Sequence, residues 1–67
     1  MKDNMIGEAI KARRKALGIN QRTLAMLAEV SVNTIVGMEK GTTQPSLATV
    51  TKVLDTLGLQ LKVELKE

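Results

Sequence analysis

Residues 31–41 read SVNTIVGMEKG. Their chemistry is that of a surface that reads rather than one that packs. Asn33 carries an amide able to pair two-fold with an adenine edge, an arrangement that discriminates by about 1–3 kcal/mol. Val32 offers an apolar surface to a thymine methyl, and Ser31 and Thr34 offer hydroxyls to a phosphate or a base. Val, Asn, Thr, Ile and Gly are all mediocre or poor helix formers, yet the apolar spacing of Ile35 and Met38 is helical. A helix chosen only to pack would use Leu, Ala, Glu and Lys. Short outward side chains at Val32, Asn33, Val36 and Gly37 suit the narrow space between a helix backbone and the base edges of a major groove. A mid-helix glycine costs about 1 kcal/mol against alanine, so Gly37 is expected to approach DNA closely or to be tolerated drift.

Composition narrows the alternatives. With no histidine and no cysteine among 67 residues, the most usual general base, metal ligand and thiolate nucleophile are missing. No glycine-rich phosphate loop is present, so an enzyme is the poorest reading, and no cofactor, metal or small-molecule substrate is expected. Ten Lys and Arg against seven Asp and Glu give +3. The excess lies in the front half: KARRK at 11–15, then Arg22 and Lys40. That placement fits a polyanion, although any single lysine or arginine reads equally well as solvated charge. Without Phe, Tyr or Trp, stacking on single-stranded bases is disfavoured. The apolar runs are too short to cross a membrane, and no signal peptide is legible; a cytoplasmic protein is expected.

The elements that must position these residues follow from stops and starts. Gly18, Gly41 and Gly58 each end a segment of helical period. Asn20, Ser31 and Ser46 are good N-caps, and Pro45 lies outside the helix that Ser46 begins. Four helices are predicted. The first runs from about Asn4 to Leu17, with Ile6, Ile10 and Leu17 inward. The second spans Gln21 to Ala28, with Leu24, Ala25 and Ala28 inward. The third spans Val32 to Lys40. The fourth runs from Leu47 to Leu57, with Leu47, Val50, Val53, Leu54 and Leu57 inward. Residues 59–66, LQLKVELK, alternate Leu59, Leu61, Val63 and Leu65 with polar residues, the period of a half-buried strand.

Only Glu29, Val30 and Ser31 join the second and third helices, as in a helix-turn-helix; Ala25 permits close approach and Val30 plugs the gap. On spacing alone, a plain helical hairpin is the alternative. The residues carry more. From Asn20 to Gly58 the chain resembles the Cro/CI-type, or XRE, helix-turn-helix of bacterial and phage repressors. Matching positions include Gln21, Leu24, Ala25, Ala28, Val30, Ser31, Thr34, Ile35, Glu39, Gly41, Pro45, Leu47 and Leu57-Gly58, and the likeness extends upstream to Ile6. The resemblance implies an all-α, four-helix, lambda-repressor-like DNA-binding domain over residues 1–58, non-catalytic, acting as a repressor homodimer on a palindromic operator. It implies base contacts from Val32, Asn33, Thr34 and Gly37. Phosphate contacts would come from Asn20, Gln21, Arg22, Ser31, Lys40, Thr42 and Thr43. It also implies a buried ion pair between Arg14 and Glu39 that orients Gln21 or a nearby phosphate. One position departs: the turn residue after Ala28, usually a left-handed glycine, is Glu29, at a cost of order 1 kcal/mol.

A lone strand has no partners for its N–H and C=O groups. Residues 59–67 are therefore expected to pair antiparallel with a second copy about a two-fold axis, through Leu59, Leu61, Lys62, Val63, Glu64 and Leu65. With Val63 on the axis, Lys62 faces Glu64 of the other chain; centring on Lys62 would oppose like charges. Such a tail also resembles, more loosely, the HipB-like branch, whose members are antitoxins that bind a toxin protein. Met26 and Leu27, on the outer side of the second helix, bear on that alternative, as an apolar surface for another protein or as ordinary exposed residues.

Overall fold

The computed structural model describes residues 4–66. Residues 1–3 and 67, at the outer ends of the expected body and tail strand, lie outside the described residues. Four helices follow one another: α1 (Met5–Ala16), α2 (Gln21–Ala28), α3 (Val32–Lys40) and α4 (Leu47–Thr56). Each boundary has a local cause. The side chains of Asn20, Ser31 and Ser46 accept the backbone N–H of Thr23, Thr34 and Thr49 at 2.7, 3.1 and 3.1 Å, satisfying one orphan donor at the start of α2, α3 and α4.

The C-terminal ends share one device. Ile19, Val30, Thr42 and Leu59 each donate their N–H back to the carbonyl five residues earlier, while Gly18, Glu29, Gly41 and Gly58 donate to the carbonyl three earlier. This is the Schellman closure, which needs a left-handed residue. Gly18, Gly41 and Gly58 supply it at φ +72°, +77° and +76°. Glu29 supplies it at φ 59°, the single non-glycine residue of positive φ among those described. The turn between α2 and α3 is thus of the kind expected, with a glutamate bearing the strain.

Ile10, Leu24, Ala25, Ala28, Ile35, Met38, Val53, Leu54 and Leu57 form the core. Ile19, Val30, Val32, Val50 and Leu59 pack against it half-buried. Three expected inward residues are not there. Ile6 and Leu17 are 43% and 46% exposed; the buried line of α1 is instead Gly7, Ile10 and Arg14, one stripe at i, i+3 and i+7. Leu47 is 69% exposed, because the first residue of α4 lies beyond the edge of the core.

The tail is the larger difference. Residues 59–66 form no strand in the single chain. After the Leu59 N–H, bonded to the Leu54 carbonyl at 2.8 Å, no segment among the described residues offers the backbone a ladder. Val63 and Leu65 are fully exposed. No helix among the described residues is long and apolar enough to cross a membrane.

Candidate nucleic-acid interface

α2 and α3 are joined by three residues and pack on each other through Leu24, Ala25, Ala28, Ile35 and Met38, all buried. With its inner face committed, α3 leaves Asn33 and Lys40 exposed and Val32, Thr34 and Val36 half-buried. Asn33 and Thr34 line a shallow concavity of about 250 Å³ together with Thr43, Gln44 and Pro45. The start of α3 and the loop after it therefore line one continuous surface, which unites an expected base-contacting pair with an expected phosphate contact. Gln44, which nothing in the sequence singles out, belongs to the same surface. Its type carried no signal; only the return of the loop toward α3 reveals it.

Gly37 corrects an expectation. It is buried, not outward. A Cβ built there would overlap the Thr43 side chain. The glycine thus makes room for the loop inside the protein, and the packing of Thr43 accounts for it without a base. Val32 is corrected in part: half-buried, it commits some of its side chain to the core, leaving the rest for an outside contact.

Asn20, Arg22, Lys40, Thr42 and Thr43 are exposed, while Gln21 is half-buried. Asn20 and Ser31 already accept backbone N–H groups as caps. The Ser31 and Thr34 hydroxyls also share a hydrogen bond of 2.8 Å. These contacts fix the first turn of α3 and engage both hydroxyls locally.

Behind this surface lies a buried ionic cluster. Arg14 and Glu39 are each 8% exposed. Arg14 Nε donates to Glu39 Oε2 at 2.7 Å and Nη2 to Oε1 at 3.1 Å, the two-pronged geometry to which a guanidinium is suited. Arg14 Nη1 donates to the Ile19 carbonyl at 3.0 Å. Gln21 Nε2 donates to Glu39 Oε1 at 3.1 Å. Because a carboxylate only accepts, the orientation of the Gln21 amide is fixed with its nitrogen inward. Burial pushes the Glu39 carboxyl up, but hydrogen bonds from Arg14 and Gln21, with the Arg14 charge, outweigh it and hold the carboxyl below its ordinary value. The hydrogen bond to Glu39 in turn raises Arg14 above its own. No buried side-chain polar atom among the described residues lacks a partner. The cluster joins α1, the start of α2 and the end of α3, and so sets how α3 stands against the body.

Arg13 belongs elsewhere. Its Nε donates to the Leu57 carbonyl at 2.9 Å, capping the end of α4 from α1 while its charge stays at the surface.

The HTH_3 helix-turn-helix family matches residues 10–63. An uncharacterized HTH-type transcriptional regulator of Haemophilus influenzae is 41% identical over 59 residues. That alignment covers 88% of this chain and 59% of the relative's length. It is with the family's defining pair of helices in place, closed by the turn through Glu29 and Val30, that this chain belongs to the HTH_3 helix-turn-helix family.

Proposed function

We propose that this chain binds double-stranded DNA and regulates transcription, as a repressor acting in the cytoplasm. The observation that supports this best is the exposed amide of Asn33 in the first turn of α3, which shares a concavity with Thr34, Thr43, Gln44 and Pro45. B-DNA's major groove, about 12 Å wide, admits a helix presented this way. Asn33 pairs with adenine, and Thr34 and the outer part of Val32 face neighbouring base edges. Arg22, Lys40, Thr42 and Thr43, with the N-terminus of α2 at Asn20 and Gln21, hold phosphates on either side. Ser31 acts mainly through the turn it caps.

Two copies make the operator-binding form, with residues 1–58 as the DNA-binding body and residues 59–67 as the dimerising strand. The alternation of apolar and polar residues in the tail and the full exposure of Val63 and Leu65 support a second copy as their cover. Two α3 helices then enter successive major grooves about 34–36 Å apart on a palindromic site.

Binding-site selection from random duplexes tests the reading. The wild-type chain should enrich a palindrome, with affinity falling steeply as salt rises. Asn33→Ala should relax preference at one base pair in each half-site. Equal weakening on all sequences would make Asn33 a phosphate contact instead, and failure of the wild-type chain to select any duplex would sink the reading.

A second reading rests on Met26 and Leu27, 69% and 57% exposed on α2: an antitoxin that holds a toxin protein, with DNA binding secondary. Co-purification of a neighbouring gene's product, abolished by Met26→Lys with Leu27→Lys, would favour it.

A further inference from the structure

Asn4 stands immediately before α1, where an asparagine side chain ordinarily accepts an N–H of its own helix. Here it makes no such bond. Its Nδ2 instead donates to the backbone carbonyl of Glu39 at 2.8 Å, across 35 residues of chain. A carbonyl only accepts, so the amide nitrogen must face α3.

The last four carbonyls of a helix have no partner within it. In α3 those of Gly37 and Met38 receive the N–H groups of Thr42 and Gly41, and that of Glu39 receives Asn4.

Two glycines frame this contact. A Cβ on Gly41 would stand 2.8 Å from Asn4 Cγ. One on Gly7 would stand 2.6 Å from Asn4 Oδ1 and overlap the Met38 carbonyl. Gly7 is not at a positive φ, so its lack of a side chain answers to space alone. Gly7 thus lets α1 approach the backbone at the end of α3, and Gly41, set by its positive φ, leaves room for the Asn4 amide between them. Asn4, Gly7 and Gly41 also share a concavity of about 220 Å³ with Thr43 and Pro45 of the following loop.

We propose that Asn4 is a positioning residue for DNA binding: its amide closes the last turn of α3 from outside and thereby fixes residues 41–43 where they meet phosphate. The inference rests on the DNA-binding reading above. Glu39 is then gripped twice, through its carboxylate by Arg14 and Gln21 and through its carbonyl by Asn4, so the outer end of α3 cannot swing independently of α1.

The test is Asn4→Ala, with Asn4→Ser as a second variant that also lacks the reach. Amide hydrogen exchange at Gly41 and Thr42 should accelerate about tenfold or more, while Leu24, Ile35 and Val53 keep wild-type protection, marking a local opening. Affinity for the selected duplex should fall about tenfold at fixed salt, with base preference and salt slope unchanged, because Gly41, Thr42 and Thr43 are neutral and would hold phosphate by hydrogen bonds alone. Unchanged exchange at Thr42 overturns the proposal. Faster exchange with wild-type affinity for the duplex also overturns it, leaving Asn4 a helix cap only. Loss of folding in both variants makes Asn4 a folding residue and rejects the positioning role. A wild-type chain that binds no duplex removes the DNA-binding reading itself, and the proposal with it.

Discussion

Arg14 of α1 and Glu39 of α3 meet through two hydrogen bonds of 2.7 and 3.1 Å. Glu39 Oε1 accepts from Gln21 of α2 as well. Removing either charge leaves the other buried without its partner, which costs about 3–5 kcal/mol. Glu39→Ala and Arg14→Ala should each approach that loss in urea denaturation, a large fraction of the stability of a 67-residue domain. Losses below about 1 kcal/mol would mean that water replaces the missing partner.

The same cluster gives stability a pH dependence of known sign. Glu39 is held below its ordinary carboxyl value of 4.5, so the unfolded chain binds its proton more readily than the folded one. The contribution is complete well above pH 4.5 and is lost as pH falls through the depressed folded value. Thermal melts should show the wild-type chain losing stability on acidification below about pH 5, with a shallower decline in Glu39→Gln. Parallel curves for the two proteins would assign the acid sensitivity to other carboxyls.

Glu29 bears a left-handed backbone at φ 59° and ψ 44°, a conformation costing about 1 kcal/mol or more for a residue with a Cβ. Glu29→Gly should stabilise the chain by up to about 1 kcal/mol and leave the α2–α3 turn unchanged. A fall in melting temperature would show that the glutamate side chain supplies a compensating contact.

Gly37 and Thr43 should be coupled. Alanine at position 37 gains about 1 kcal/mol of helix propensity but displaces the Thr43 side chain, which lies where the new Cβ would go. Gly37→Ala should therefore be more favourable in a Thr43→Ala background than alone. A double-mutant cycle should give a coupling of about 0.5–3 kcal/mol; additive effects would mean that Thr43 turns aside freely.

The proposed pairing of two tails makes a charge-swap prediction. Lys62→Glu alone sets like charges opposite each other across the axis at Val63, and sedimentation should show weakened dimers. Adding Glu64→Lys restores opposite charges and should restore the dimer. Rescue failing in the double variant would reject that register.

Punctuation was the most legible part of the sequence. Asn20, Ser31 and Ser46 start their helices, and Gly18, Gly41 and Gly58 close theirs, because both events are decided by one side chain and the backbone within five residues of it. Helical periodicity was a weaker guide at the margins. It put Ile6, Leu17 and Leu47 inward because period alone cannot say where a neighbouring helix ends. Gly37 looked like a reading-face residue for the same reason: the loop that fills the space beside it returns from six positions further on. Asn4 resembles any N-cap until its partner 35 residues away is known. The alternation from Leu59 to Leu65 is genuine sequence information, but a strand needs a neighbour, and one chain does not contain it.

All four helices finish in hydrogen bonds supplied by their own next residues. Their lengths are accordingly written into adjoining peptide groups, and α2 with α3 makes a caliper whose jaws are cut to size before anything is gripped. Accommodation to a curved or uneven target then falls to side-chain rotation and to the stretches at 44–45 and 60–66, which lie beyond the closing hydrogen bonds of α3 and α4.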